Sequence, residues 1–217
     1  ASHNYGPEYI FSAVNTTNAS GGGWGSKLPG VMLDYLGFGK YNGWGYYAPT
    51  KELYDEYEPA DKRLPATILK TGDKFVFDGQ EMTFVSNDAK KTGYMFNKYM
   101  DPFTYPLAGG AHVSTDGNNP TTDANIPLIR YAEVILIKAE AKLMLGQNAD
   151  TEINMIRQRA GLAPKTNVTM VDLKHERRTE LAGEWADRHR DLVRWGDAQA
   201  TYAKPLHNMD GSVAWAG

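Results

Sequence analysis

The sequence predicts a mainly α-helical protein. An antiparallel helical hairpin and further helices follow a long aromatic, glycine-rich loop region that carries one small β-hairpin. Two observations lead there. Residues 1–125 hold 16 of the 22 glycines, 8 of the 11 prolines and 20 of the 25 aromatic residues. Residues 126–217 instead carry apolar side chains at helical spacing, punctuated by glycines where the periodicity stops. The expected organisation is therefore a loop-rich region, 1–125, as the candidate ligand-binding part, and a helical region, 126–217. No internal repeat of fixed period is present.

In the first region, "KFVFDGQEMTFV" is the one clear hairpin. Phe75 and Phe77 alternate outward from a tight Asp78-Gly79 turn, and Met82 and Phe84 return. The rest of residues 12–50 reads as loop. In the second region the clearest helix is Ile126–Leu145, with Pro127 in the first turn and Gly146 to end it. Leu128, Ala132, Ile135, Ala139 and Leu143 form its apolar stripe. Ile129, Val134, Ile137 and Ala141 widen that stripe beyond what a surface helix needs, so an apolar face should point outward toward a further partner. A second helix is expected over Thr151–Ala160, with Asp150 as N-cap and Gly161 and Pro164 as stop. The short link makes the pair an antiparallel hairpin. A third helix, Met170–Trp185, starts at a weak capping box of Thr169 and Asp172. A short fourth covers Arg188–Trp195.

Composition removes whole classes of chemistry. The 217 residues include no cysteine, which excludes disulfides, zinc ribbons, thiol nucleophiles and iron–sulfur clusters. A net charge of −3 provides no footprint for nucleic acid. No apolar run reaches the roughly 20 residues of a membrane span. "ASHNYG" at the start has neither the basic residues nor the apolar stretch of a signal peptide. Either the protein is cytosolic or this chain starts after its targeting segment.

Several motifs resemble catalytic signatures and fail on spacing. His175-Glu176 opens like H-E-x-x-H, but Thr179 stands where the second histidine belongs, so no metal is expected there. "HRDLVRWG" (His189–Gly196) imitates a kinase catalytic loop, with Gly196 in place of the metal-binding asparagine. "GGGWG" (Gly21–Gly25) and "GFG" (Gly37–Gly39) lack phosphate-loop spacing. "STDGNNPTTDAN" (Ser114–Asn125) lacks the calcium-loop pattern and reads as solvated loop. No cofactor is expected. Glu176, Glu180 and Glu184 recur at i+4 among Arg177, Arg178, Arg188, Arg190 and Arg194. Paired carboxylates of this kind could hydrolyse a glycoside. Dense arginines lower carboxylate pKa values, however, where a general acid needs a raised one. A structural ion-pair network is the better reading, with Arg130, Glu133, Glu176, Arg177, Glu180 and Arg194 joining the hairpin to the third helix.

"NIPLIRYAEVILIKAEA" (Asn125–Ala141), "INMIRQRAGL" (Ile153–Leu162) and "HERRTELAGEWADRHRDLVRWG" (His175–Gly196) resemble, in order and spacing, the SusD/RagB family of nutrient-binding lipoproteins of Bacteroidetes. "EYIFSA" (Glu8–Ala13) and "PTKELYDEYEPADKR" (Pro49–Arg63) resemble the family's preceding segments, and the resemblance covers about residues 7–200. It implies a SusD-like fold whose hairpin is of tetratricopeptide type. It also implies non-catalytic glycan (oligosaccharide) binding in starch or other carbohydrate uptake. The implied partner is a SusC-like TonB-dependent transporter, and the implied location the cell outer membrane, as a surface-exposed lipoprotein. Members run to about twice this length, so this chain corresponds to a C-terminal portion. The resemblance implies that the family's N-terminal helices and lipid anchor, its one link to a membrane, are expected to lie outside that portion.

Sugars present apolar C–H faces ringed by hydroxyls, so a binder needs exposed aromatic rings beside hydrogen-bonding amides. Trp24, Tyr35, Tyr41, Asn42, Trp44 and Tyr46 supply that chemistry among glycines and are the candidate ligand-binding residues. Trp24 leads, isolated in a glycine loop with Leu28 the one aliphatic nearby. For Trp44, inside "GWGYYAPT", core packing competes. The alternatives are a glycoside hydrolase acting through Glu176, Glu180 or Asp191, and a structural helical-repeat adaptor whose aromatics are buried.

Overall fold

The computed structural model describes residues 6–14, 48–77, 80–86, 92–98, 125–184 and 188–217. It is mainly helical, with four two-stranded antiparallel ribbons and no larger sheet among these residues. In chain order the elements are β1 (Tyr9–Ala13), α1 (Lys51–Tyr54), α2 (Arg63–Thr67), β2 (Ile68–Lys70), β3 (Lys74–Phe77), β4 (Gln80–Thr83), β5 (Tyr94–Phe96), β6 (Ile126–Arg130), α3 (Tyr131–Met144), α4 (Asp150–Ala160), α5 (Met170–Glu180), α6 (Arg188–Arg194), α7 (Ala198–Tyr202), β7 (Leu206–His207) and β8 (Val213–Trp215). None of the described helices is long and apolar enough to cross a membrane.

The expected helix over Ile126–Leu145 is corrected at its start. Ile126–Arg130 is a strand paired antiparallel with β1, with Arg130 opposite Tyr9, and the helix begins at Tyr131. Two local causes favour this. Pro127 biases Ile126 toward extended backbone, and a two-stranded ribbon is all edge, so the proline's missing donor is tolerated. Tyr131 N then donates to Glu8 O at 2.8 Å, carrying the ribbon into the helix start.

In α3 the buried positions are Ala132, Leu136, Ala139 and Glu140. Ile135 and Leu143 pack half-buried against the same core, whereas Leu128 lies on β6, partly exposed. The apolar residues on the outer side stay exposed as anticipated, Val134 at 40% and Ile137 at 52%.

Asp150 is the first residue of α4 rather than its N-cap, a position held by Ala149. The Asp150 carboxylate is directed elsewhere, accepting from Asn167 N at 3.0 Å and Val168 N at 2.9 Å and so fastening the loop before α5. Gly161 ends α4 in the left-handed region, at φ +77°. Helix α5 begins at the Thr169–Asp172 capping box but stops at Glu180, short of the expected Trp185. At Gly183 (φ +73°) a Cβ would sit 2.7 Å from the Phe96 ring, so the chain turns where only glycine fits. The hairpin expected from Phe75 to Phe84 is present as β3 and β4, with Phe75 opposite Met82. The Asp78-Gly79 turn lies outside the described residues.

Two apolar clusters result. One is aliphatic, formed where α3, α4 and α5 pack on one another around Leu136, Ile153, Ile156 and Leu173. The other is rich in aromatics and comes from short elements, with Tyr57, Ile68, Phe84, Met95 and Phe96 buried together.

Candidate ligand-binding site and its scaffold

The carboxylates singled out along α5 and just beyond it lie between the two clusters, neutralised by cations, with Glu176 and Glu180 buried and Glu184 half-buried. Glu176 accepts from Arg157 at 2.5 Å and from Arg63 at 3.0 Å. Glu180 meets Arg63 at 3.2 Å, Arg130 at 2.7 Å and also Arg159. Glu184 takes Arg130 Nε and Lys98 Nζ, each at 2.5 Å. Arg177 bridges Asp191 at 2.5 Å and Glu133 at 3.0 Å, and Arg194 pairs with Glu140. The expected network is therefore present and joins the helical hairpin to α5. It reaches further than expected, because Asp61 orients Arg63 through contacts of 2.6 to 3.1 Å, and Glu58 holds Arg157.

Its electrostatics leave Glu180 unsuited to acid catalysis. Burial alone would raise the Glu180 carboxyl, but the surrounding guanidinium groups of Arg130, Arg159 and Arg63 hold it at about 2. A group that low carries no proton to give a leaving group. Glu176 and Asp191 are likewise fully engaged by arginines, so the hydrolase alternative loses its residues.

One cluster has the makings of a metal site. Ligand atoms of Glu58, His175 and Glu176 lie within 4.8 Å of one another. Arg157 Nη1, however, sits 2.5 Å from Oε1 of both glutamates, so a guanidinium already supplies the positive charge a metal would bring.

Trp24, Tyr35, Tyr41, Asn42, Trp44 and Tyr46 all lie outside the described residues, which resume at Ala48. What is described is the frame on either side of them. On the N-terminal flank, β1 pairs with β6, and Glu8 accepts from Arg130 at 2.9 Å. On the other flank, Arg178 of α5 binds Glu56 at 2.7 Å and the carbonyl of Glu52 at 3.3 Å, while His175 meets Glu56 at 2.9 Å. Burial would raise Glu56, but His175 and Arg178 keep its carboxyl below the ordinary range. Both flanks of the candidate segment are thus tied to α5.

Sequence reasoning missed Arg63 and Arg157 as members of this scaffold. Arg157 carried a signal, because it shares the buried side of α4 with Ile153, Ile156 and Ala160, where a charge must have a partner. Arg63 carried none, since it precedes any periodic segment.

The comparisons with known proteins agree with this frame. The SusD family matches residues 7–215, beyond the stretch of about 7–200 over which the motifs carry the resemblance. A SusD-like protein of Bacteroides ovatus is 27% identical over 166 residues, 72% of this chain and 28% of its own. Among solved structures, a laminarin-binding SusD-like protein is 30% identical with a TM-score of 0.69, covering 93% of this chain and 45% of that one. The surface glycan-binding protein A of Bacteroides thetaiotaomicron, in complex with laminarihexaose, is 25% identical with a TM-score of 0.69, covering 94% of this chain and 45% of its own. The chain thus spans less than half the length of these relatives. With nearly its whole length matched in sequence and in structure, the chain belongs to the SusD family.

Proposed function

We propose that this chain is part of a non-catalytic surface glycan-binding protein, which captures oligosaccharide and delivers it to a SusC-like TonB-dependent transporter. The whole protein is then a lipoprotein on the outer face of the outer membrane. The observation that carries the reading is the family match over residues 7–215, together with structural relatives that include a laminarin binder and a laminarihexaose complex. The arginine–carboxylate scaffold supports it, because it consumes the acids a hydrolase would need while fastening both flanks of the aromatic segment.

On this reading Trp24, Tyr35 and Tyr41 stack on sugar rings, and Trp44, Tyr46 and Asn42 complete the platform. Calorimetric titration with laminarihexaose tests it. Trp24→Ala is expected to weaken binding by roughly 1–3 kcal/mol, the loss of one aromatic anchor, with the unfolding midpoint almost unchanged. Equal affinities would remove Trp24 from the site, and a large fall in stability would make it a core residue. Release of chromophore from an aryl glucoside would contradict the non-catalytic reading.

A further inference from the structure

A cavity of about 540 Å³ opens on the aromatic cluster, lined among the described residues by side chains between Tyr54 and Asn97. Three partly buried residues packed against that cluster, Tyr54, Leu64 and Phe75, are part of the cavity's lining. Polar groups stand around the same space: the Lys70 ammonium, the Asp73 carboxylate and the Asn97 amide.

This rim is held in place before any ligand arrives. Asp73 Oδ2 accepts from Lys70 N at 2.9 Å, and the same turn is fixed by Asp73 N to Lys70 O and Gly72 N to Phe84 O, both 2.9 Å. Asn97 is pinned by its Nδ2 to Pro65 O at 2.9 Å and its N to Thr67 O at 2.7 Å. Tyr54 stacks on Tyr94 with ring centroids 5.0 Å apart, and Lys70 Nζ lies 5.4 Å from the Tyr54 centroid. The remaining side-chain oxygens, Asp73 Oδ1 and Asn97 Oδ1, have no hydrogen-bond partner among the described residues.

Ordered acceptors beside the Lys70 ammonium, over an aliphatic and aromatic wall, match a ligand whose groups both donate and accept around an apolar face. A sugar ring has that chemistry. A rim already ordered by the fold loses little entropy on binding.

We propose that this pocket is an accessory saccharide site, taking one or two rings of the glycan. Phe75 and Leu64 meet the C–H face, Asp73 and Asn97 accept from hydroxyls, and Lys70 donates. The proposal rests on the glycan-binding reading and adds to it a contact region among the described residues.

The test uses the intact chain with laminarihexaose, maltohexaose and xylohexaose as probes. NMR is expected to show intermolecular NOEs from sugar protons to the Leu64 methyls and the Phe75 ring for at least one of them. Lys70→Met keeps the aliphatic stem and removes the ammonium. It is expected to weaken that saccharide by about three- to tenfold, the loss of one hydrogen bond, with the unfolding midpoint unchanged. A saccharide that binds with NOEs to other residues and none to Leu64 or Phe75 overturns the pocket and leaves the glycan reading standing. Failure of all three to bind overturns both.

Discussion

The two apolar clusters are built in opposite ways. Around Leu136 and Ile153 the core is aliphatic and comes from three consecutive helices, α3, α4 and α5. Around Phe84, Met95 and Phe96 it is richer in aromatics and comes from short helices, loops and two-stranded ribbons between residues 57 and 96, with Ala182 added from beyond α5. Helices satisfy their own backbone, so the first needs only a matching apolar stripe. A lone two-stranded ribbon is marginal, and large rings supply the burial that so few residues must provide. Between the clusters runs the ionic layer, where Arg63 from the second reaches Glu176 and Glu180 of α5, and Tyr57 donates to Thr179 O at 2.9 Å. Apolar burial makes each cluster, and directional charge pairs fix one against the other.

Breaking that joint is expected to have the largest effect. Glu180→Ala leaves Arg130, which is 93% buried, with Glu184 and Glu8 and leaves Arg63 with Asp61 and Glu176, so the loss is expected to approach the roughly 3–5 kcal/mol that removing one partner of a buried pair costs. Denaturant unfolding should show the loss, and hydrogen exchange should show both clusters loosened together. If α3 and α4 kept their protection while residues 68–96 lost theirs, the joint would matter to one side alone. Acid probes the same layer without mutation. Because the folded Glu180 carboxyl sits at about 2 against an ordinary 4.5, the unfolded chain takes up its proton first as pH falls. Its contribution is present in full above about 4.5 and is lost as pH drops toward 2. Glu58 and Glu140, also lowered, act with the same sign. An unfolding midpoint flat from pH 6 to pH 3 would show that the layer stabilises nothing.

A cut inside one cluster is expected to rank next. Leu136 is fully buried in the helical cluster, and Leu136→Ala should destabilise by roughly 2–5 kcal/mol through lost burial and the cavity left behind. Exchange should rise first in α3 and α4. Equal loosening of residues 68–96 would mean the clusters unfold as one unit and the distinction between them is architectural only.

How much was legible follows the same division. The helical cluster could be read because its signals are local: the Thr169–Asp172 box, the glycine at 161, and the carboxylates of α5 at every fourth position. The strand at Ile126–Arg130 could not, because its partner lies some 120 residues earlier at Tyr9–Ala13, and a run apolar on every side satisfies helix and strand alike. Leu136 was overlooked for the same reason, since an all-round apolar sequence does not say which side is buried. In the other cluster β3 and β4 announced themselves by alternation, whereas the three-residue pairing of β2 with β5 is too short to carry a period. The candidate ligand residues were read from side-chain chemistry, and the scaffold found in the structure explains how their flanks are held.

The smallest expected effect lies at the edge of the helical cluster, and it asks how local that cluster's determinants are. At the start of α5, Thr169 Oγ1 accepts from Asp172 N at 3.4 Å, and Asp172 Oδ2 accepts from Thr169 N at 2.8 Å. Lys165 adds an ion pair to Asp172 at 2.7 Å. Thr169→Ala removes both bonds of the exposed hydroxyl, the long one accepted from Asp172 N and its own donation to Asp172 Oδ2 at 2.7 Å, while the backbone N of residue 169 can still donate to Asp172. Caps are worth about 1 kcal/mol on average, and the intact reciprocal bond places this one at or below that figure. Thr169→Pro is the sharper variant. It deletes the donor to Asp172 while keeping an N-cap position, and should exceed the alanine change. If both variants matched wild type within about 0.3 kcal/mol, α5 would be held by its buried arginine pairs alone, and the sequence signal that located its start would carry no stability.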